Sequence, residues 1–239
     1  MTRFAIPLIA LSGLAAAMPA SAAEVQIAAQ GPVVELTVME NVKAKPDIAT
    51  VGAGVTTQAQ TAVEAMRLNA QAMDRVIQRI KALGIDEDDI QTVGINLGAQ
   101  YDYDQARGRP VFRGYQASNR VSVTLRDVKR TGEVLDSLVA SGATDINGPD
   151  FSLDDDTGPR AQARRAAMEK ARAQATEYAQ WSGYTGVRLL EVNETISMDR
   201  PMPYAQVARL ESADAKATPV EPGLVGTVVN LTVKYEMTR

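Results

Sequence analysis

Stretches in which every second residue is apolar place the strongest constraint on how this chain folds. From Val225 to Tyr235, every odd-numbered residue except Thr227 is apolar, and polar residues or glycine take most even positions. Val33–Val38 and Val121–Leu125 repeat the pattern. Successive side chains of a strand point to opposite faces, so each stretch is predicted to be a half-buried strand of a sheet.

Other segments have β-forming composition without such strict alternation. A turn is predicted at Asn41–Pro46, and the polar stretch Tyr101–Pro110 is predicted to be the tip of a hairpin. The remaining strands are predicted over the ranges Asp47–Gln58, Gln91–Gln100, Val111–Leu125, Ile146–Leu153 and Val187–Ile196.

Three segments follow the helical period instead. Apolar residues at three- and four-residue spacing predict a helix over Thr61–Leu83, which Gly84 ends. A second helix is predicted over Val128–Val139. A third is predicted to begin after Thr157 and to run to about Trp181, since the acidic residues 154–156 suit a helix start. Strands and helices are interspersed without regular βα alternation, which favours an α+β fold with a largely antiparallel sheet. Two subdomains, one on the first helix and one on the two later helices, are an alternative to one domain.

The third helix has an unusual composition. Ala163, Ala167, Ala171 and Ala175 recur every four residues, so one helix face carries only small side chains and allows close approach of another backbone. We favour the interpretation that this face packs on the chain's own sheet, with an oligomer contact as the alternative. A basic side of the same helix is interpreted as a solvated face, with anionic lipid or an acidic loop as alternative contacts: Arg160, Arg164, Arg165, Lys170 and Arg172.

The first 23 residues have the pattern of a signal peptide. Arg3 precedes an uncharged, mostly apolar run from Phe4 to Met18, and small residues at 20–23 offer a cleavage site after Ala22 or Ala23. The run is shorter than a bilayer core requires, which disfavours the alternative of a retained membrane anchor. We therefore expect a mature chain of residues 24–239, periplasmic or secreted, with no other membrane span and with 24 basic and 29 acidic residues.

Two missing residue types limit the kinds of catalytic and metal-binding site that this chain can form. The chain has no cysteine and no histidine, which excludes disulfides, thiolate nucleophiles, imidazole acid–base catalysis and most transition-metal sites. The acidic runs Asp86–Asp89 and Asp154–Asp156 lack the alternate spacing of calcium loops. A pI near 5.1 disfavours a nucleic-acid partner. We predict no catalytic site, no metal and no cofactor.

Contact with another chain is the better supported kind of site. Tyr101 and Tyr103 in the hairpin tip resemble the tyrosines of binding loops, which contact a large area at low entropic cost. The alternative is a hairpin whose tip is simply exposed. Ser197–Gly223 is a long loop with four prolines, and loops of that length are usually functional or disordered. Its Met202 and Tyr204 are candidate contact residues. The predicted interface residues are Tyr101, Tyr103, Ala163, Ala167, Ala171, Ala175, Met202 and Tyr204.

The chain carries a combination of short motifs: Ala44–Asp47, Gly114–Asn119 with Val121, Val123, Arg126 and Asp127, the series from Gly132 to Leu153, Tyr178–Ala179 and Arg200–Pro203. Together these motifs resemble the SIMPL-domain family over roughly Val33 to Tyr235. The resemblance implies an exported bacterial protein, similar to periplasmic immunogenic proteins and to proteins of oxidative-stress defence, and supplies no catalytic residues. Thr144 departs from the pattern, which often has asparagine there.

Three functions remain open at this level. The favoured one is a non-catalytic, self-assembling protein of the cell envelope with a role in stress defence, acting as a homo-oligomer or with an envelope protein partner. The alternative is a periplasmic binding module for a small ligand or a protein client. A hydrolase that uses paired carboxylates, Asp47 among them, is the third, but no spacing identifies the pair.

Overall fold

The protein is described by a computed structural model, in which residues 29–106, 108–195 and 218–239 are described. Two sheets, antiparallel at every pairing, and three helices make up these residues, which confirms the predicted α+β class. The strands are β1 Val33–Ala44, β2 Ile48–Ala59, β3 Ile90–Asp104, β4 Arg109–Leu125, β5 Asp145–Ser152, β6 Gly186–Thr195 and β7 Val225–Thr238. The helices are α1 Ala62–Ala82, α2 Thr131–Ala140 and α3 Thr157–Trp181.

The four-stranded sheet has the order β3-β4-β2-β5. Alternate residues of β2 and β4 point to one face, where they are buried with the apolar stripe of α1 and with Val134 and Leu138 of α2. Thr61 caps α1, because its side chain accepts a hydrogen bond from the Glu64 N–H at 3.3 Å. This core therefore comes from β2, β4 and both shorter helices.

The three-stranded sheet has the order β1-β7-β6, and α3 packs on one of its faces. The alternating residues of β7 that were predicted to be half buried are Val229, Leu231, Val233 and Tyr235, and all four are buried against α3. The four alanines of α3 are completely buried in the same cluster. The interpretation of an Ala-rich helix packed on the chain's own sheet is confirmed.

The chain path divides the two cores. β1 begins the three-stranded sheet, residues 48–152 form the four-stranded sheet with α1 and α2, and α3, β6 and β7 return to the first sheet. The prediction that the two later helices share a subdomain is wrong, because α2 packs with α1 and only α3 covers the other sheet. The short segment after residue 217 also contacts α2, since the N–H and Oγ of Thr218 donate to the Asp136 carboxylate at 3.0 and 2.6 Å.

Local boundaries differ from the predictions in two places. The turn predicted at Asn41–Pro46 is wrong for its first half, since β1 continues to Ala44 in register with Val225 of β7. The hairpin tip is shorter than predicted, because β3 extends to Asp104 and β4 begins at Arg109. In both cases pairing with a neighbouring strand overrides the local turn-forming composition.

Some predictions fall outside the described residues. They are the signal peptide over residues 1–23 and most of the Ser197–Gly223 loop, including Met202 and Tyr204. Within the described ranges, no helix combines the length and the apolar character that crossing a membrane requires.

Candidate functional site

The hairpin of β3 and β4 projects beyond its sheet as a two-stranded arm. β2 pairs with β4 only from Tyr115 to Leu125, so residues 109–114 of β4 have β3 as their partner strand. Gly114, with φ +144°, stands where the arm leaves the sheet. A Cβ at this position would lie 2.5 Å from the Ala59 carbonyl oxygen, so the departure point requires glycine.

The arm has one aromatic face and one charged face. Tyr101 lies opposite Phe112 and Tyr103 lies opposite Pro110, and residues opposite each other in a ladder share a face. The Tyr101 and Phe112 rings meet edge to face with centroids 5.7 Å apart, and Phe112 meets Tyr115 at 5.4 Å. On the charged side, Arg113 donates to Asp102 at 2.6 Å. The two tyrosines nevertheless remain 61% and 67% exposed.

The aromatic face continues along β3 into the sheet. Ile95 and Leu97 lie opposite Asn119 and Ala117 of β4, on the face that α1 covers further along. They are 59% and 42% exposed, whereas Ala117 is completely buried. We call the five exposed residues the uncovered face: Ile95, Leu97, Tyr101, Tyr103 and Phe112.

The position of α1 explains why this face is left open. Asn69 is buried, and its Nδ2 donates to the carbonyl oxygens of Val55 at 2.9 Å and Ala117 at 3.1 Å. One amide thereby ties the helix to β2 and β4 together. A helix held over these two strands covers β3 at Ile90 but not along its centre, so Ile95 and Leu97 stay exposed to solvent.

The other predicted interface is buried inside the chain. Ala163, Ala167, Ala171 and Ala175 lie against the three-stranded sheet and have no exposed surface, so the structure excludes them as a contact with a second chain. The small side chains do allow another backbone to approach α3 closely, as the sequence predicted. That approach takes place within the chain, because β1 and β7 supply the large side chains that fill the space.

Three of the five residues on the basic side of α3 form ion pairs within the chain. Arg164 donates to Glu194 at 2.6 and 2.8 Å, Lys170 donates to Glu40 at 2.6 Å, and Arg160 pairs with Asp156. The hydrogen bonds from Arg164 hold the pKa of Glu194 below its ordinary value. These cations anchor α3 to both edge strands and to its own first turn, which leaves less charge for an acidic partner.

Carboxylates at the opposite end of the four-stranded sheet also form internal pairs. Arg126 donates to Asp89 at 2.9 Å and to Asp154 at 2.7 Å, and these bonds raise its pKa further. An open cleft of about 400 Å³ lies beside this cluster and is lined by Asp86, Asp89, Arg126 and Arg130. Arg130 is paired with Glu133 and donates to the Leu83 carbonyl oxygen, so Asp89 and both arginines of the lining are already engaged within the chain. In the described ranges, no three acidic side chains are grouped as metal ligands would be.

Sequence reasoning identified Tyr101 and Tyr103 and missed three neighbours. Ile95, Leu97 and Phe112 follow the alternation of ordinary half-buried strands. The same pattern occurs in β7, where α3 buries it. No signal in the sequence separates the two cases, because coverage depends on where each helix lies.

Comparisons with known proteins extend over almost the whole chain. A protein from Brucella melitensis biotype 1, the 26 kDa periplasmic immunogenic protein, is 32% identical over 229 residues, covering 92% of this chain and 90% of its own length. The protein of the same name from Brucella abortus (strain S19) gives the same values. The uncharacterised protein YggE of Escherichia coli (strain K12) is 30% identical over 215 residues, covering 89% of this chain and 84% of its own.

The family model SIMPL, described as a protein of unknown function (DUF541), matches residues 34–235. This range runs from Val34 in β1 to Tyr235 in β7 and takes in strands of both sheets, the helices α1 to α3 and the arm. The resemblance that the sequence motifs indicated is confirmed. The chain belongs to the SIMPL family.

Proposed function

We propose that this chain is an exported, non-catalytic protein of the cell envelope that self-assembles through the uncovered face. The observation that carries the proposal is the group of Ile95, Leu97, Tyr101, Tyr103 and Phe112, which lie exposed on one continuous face. Soluble monomers rarely expose contiguous apolar patches, and such patches commonly mark interaction sites. Tyrosine and phenylalanine are also enriched at the centres of interfaces.

The state of the carboxyl groups supports a non-catalytic role. A general acid requires a pKa raised toward the working pH. In the described residues, every carboxyl group with a shifted pKa is shifted downward, and the largest cause each time is a hydrogen bond from a neighbouring cation or threonine. These groups are Glu64, Glu87, Glu133, Asp136, Asp155, Glu194 and Glu236.

Export is supported by the N-terminal pattern and by the relatives. Residues 1–23 have the composition of a signal peptide, and the names of the Brucella relatives include the word periplasmic. We take residues 24–239 as one mature domain with two cores, in which residues 197–223 connect β6 to β7. The periplasm is the proposed compartment.

A role in oxidative-stress defence would be indirect. Peroxide reduction by a protein commonly uses a thiolate, and this chain has no cysteine. We propose that any protection comes from assembly with other copies or with an envelope partner. Purified mature protein is therefore expected to leave the peroxide concentration unchanged over a range of protein concentrations. Consumption in proportion to protein concentration would contradict this part of the proposal.

The native mass of the mature chain tests self-assembly directly. Light scattering on residues 24–239 is expected to give a discrete multiple of the monomer mass. Changing Leu97 and Tyr103 together to serine is expected to reduce the native mass to that of the monomer, because both side chains lie on the uncovered face. Val139→Ser is the control, since Val139 lies on α2, outside the uncovered face, and its exposure of 59% falls between those of Leu97 and Tyr103. A monomeric wild type, or a double variant that still assembles, would overturn the proposal.

A further inference from the structure

We propose that the copies join edge to edge, β3 of one copy pairing antiparallel with β3 of a second copy. This inference rests on the proposed self-assembly and specifies how it takes place. β3 is at the edge of its sheet, with β4 on one side and no strand of the described residues on the other. An edge strand presents a row of N–H and C=O groups that a strand from another chain can pair with.

The other three edges carry the features that prevent such pairing. β1 has Glu35, Glu40 and Lys43 along its length. β6 has the charged residues Arg188, Glu191 and Glu194 and a break in register after Leu189. β5 contains Pro149, and its pairing with β2 is irregular between Thr50 and Gly52. Charge, proline and bulges are the usual protections of a sheet edge.

β3 lacks these protections over its central part. The pairing of β3 with β4 is irregular after Thr92 and after Gln100. Between these two points, residues 94–100 pair without a break in register and contain no charged residue and no proline. Ile95, Leu97 and Ala99 point to the uncovered face, and Asn96, Gly98 and Gln100 to the other. An exposed, uncharged and apolar edge of this length is a site of association between chains.

A second copy of β3 fits this edge, because the same neutral segment then lies on both sides of the contact. The neutral segment lies between the acidic run 86–89 and the pair Asp102 and Asp104. With a twofold axis at Leu97, residues 94–100 of one copy lie opposite the same residues of the other, and both acidic groups lie outside this contact. Asp102 and Asp89 are already paired, with Arg113 and Arg126 of their own chain. Apolar residues then face apolar residues, and Asn96 and Gly98 face each other. A twofold contact pairs both free edges and closes the assembly.

Single cysteines introduced along β3 test the geometry, because the native chain has none. In a twofold antiparallel pair, only the residue on the axis faces its own copy, and each step along the strand adds about 7 Å between equivalent residues. Disulfides require Cα atoms closer than about 7 Å. The variants are Ile95→Cys, Asn96→Cys, Leu97→Cys, Gly98→Cys and Ala99→Cys, with Met39→Cys on the exposed edge of β1 as the control.

Leu97→Cys is expected to form a disulfide-linked dimer about tenfold faster than its neighbours and the control, given this distance limit. A single maximum at another position from 95 to 99 supports the pairing with a shifted axis. Equal cross-linking at all positions overturns edge pairing and leaves self-assembly standing. So does a lack of cross-linking at every position in a protein whose native mass is still a multiple of the monomer mass. A monomeric wild type overturns both.

Discussion

Alanine at every fourth position of α3 sets the distance between this helix and the three-stranded sheet. Each of the four methyl groups is completely buried against β1 and β7, so the helix axis lies close to the sheet. Interiors pack at the density of organic crystals, and added volume forces the neighbouring atoms to move. Residue size at these positions is therefore a structural requirement, which explains a pattern that the sequence left open to two interpretations.

Ala167→Leu is expected to destabilise the fold by about 1–3 kcal/mol, because the extra methylenes have no space against the sheet. Ala173→Leu on the exposed side of α3 is the matched control and is expected to change the melting temperature little. Thermal unfolding followed by circular dichroism measures both. Equal melting temperatures for the two variants would contradict the close packing.

Glu236 is the buried carboxylate of the three-stranded sheet. It pairs with Arg188 and accepts hydrogen bonds from the N–H groups of Gln30 and Gly31 at 2.6 Å each. The bond from Arg188 is the largest cause that lowers the pKa of Glu236, followed by the bond from Gly31. The folded pKa is therefore below the unfolded value of about 4.3. The stabilisation is complete above that pH and is lost as the pH falls through the folded pKa.

Below about pH 4.3, the melting temperature of the wild type is expected to fall more steeply with pH than that of Glu236→Gln. The reason is that the variant has no charge to lose at this site. Glu177→Gln on the exposed side of α3 is the control and is expected to follow the wild type. Melting curves from pH 7 to pH 3 make the comparison. Parallel curves for all three proteins would show that Glu236 is not linked to folding.

At the scale of elements, helix position decides which strands are core and which are surface. α1 covers β2 and β4, and Asn69 holds it there through two backbone carbonyls. β3 has the same alternating composition as its neighbours, but its central residues lie beyond the helix. The uncovered face is thus a consequence of the placement of one helix.

Asn69→Leu is expected to destabilise the protein by about 2–4 kcal/mol, because two buried carbonyls lose a donor. Gln71→Leu, two positions along α1 and exposed, is the matched control. Chemical denaturation measures the free energy of unfolding of both variants. An equal free energy of unfolding for the two variants would mean that the hydrogen bonds of the Asn69 side chain do not hold the helix in place.

At the scale of the whole molecule, the two sheets have separate apolar cores. The four-stranded sheet is continuous in sequence, while the three-stranded sheet is assembled from β1 and from β6 and β7, which lie on either side of that sheet in the sequence. Contiguous packing units often open as cooperative units in hydrogen exchange. The molecule is therefore organised as one unit inserted into another.

Ala167→Leu is expected to lower the protection of amides in β1, β6 and β7 more than that of amides in β2 and β4, since only the first group shares its core. Val121→Ala, in the other core, is the reciprocal variant and is expected to affect β2 and β4 most. Hydrogen exchange measured by mass spectrometry resolves these segments. A uniform loss of protection in either variant would indicate a single cooperative unit.

Much of the local structure was predictable from the residues. The spacing of apolar residues predicted α1 and α3 close to their observed bounds, and Thr61 marked a helix start because its hydroxyl caps the first turn. The turn at Asn41–Pro46 was partly wrong, because ladder bonds to β7 continue β1 to Ala44. Of the candidate site, the tyrosines were predicted and their aliphatic neighbours were not, since alternation looks the same whether or not a helix covers it.

The sequence by itself determined the fold class, the family and the exclusion of thiol and imidazole chemistry, because periodicity, motifs and missing residue types are all properties of the chain read locally. Only the tertiary structure decided that the alanines of α3 face inward, that α2 belongs with α1, and that β3 is exposed. These three facts depend on which surfaces meet across long separations in sequence. The sequence shows that a residue is apolar, but the packing of elements that are distant in sequence decides whether that residue is buried.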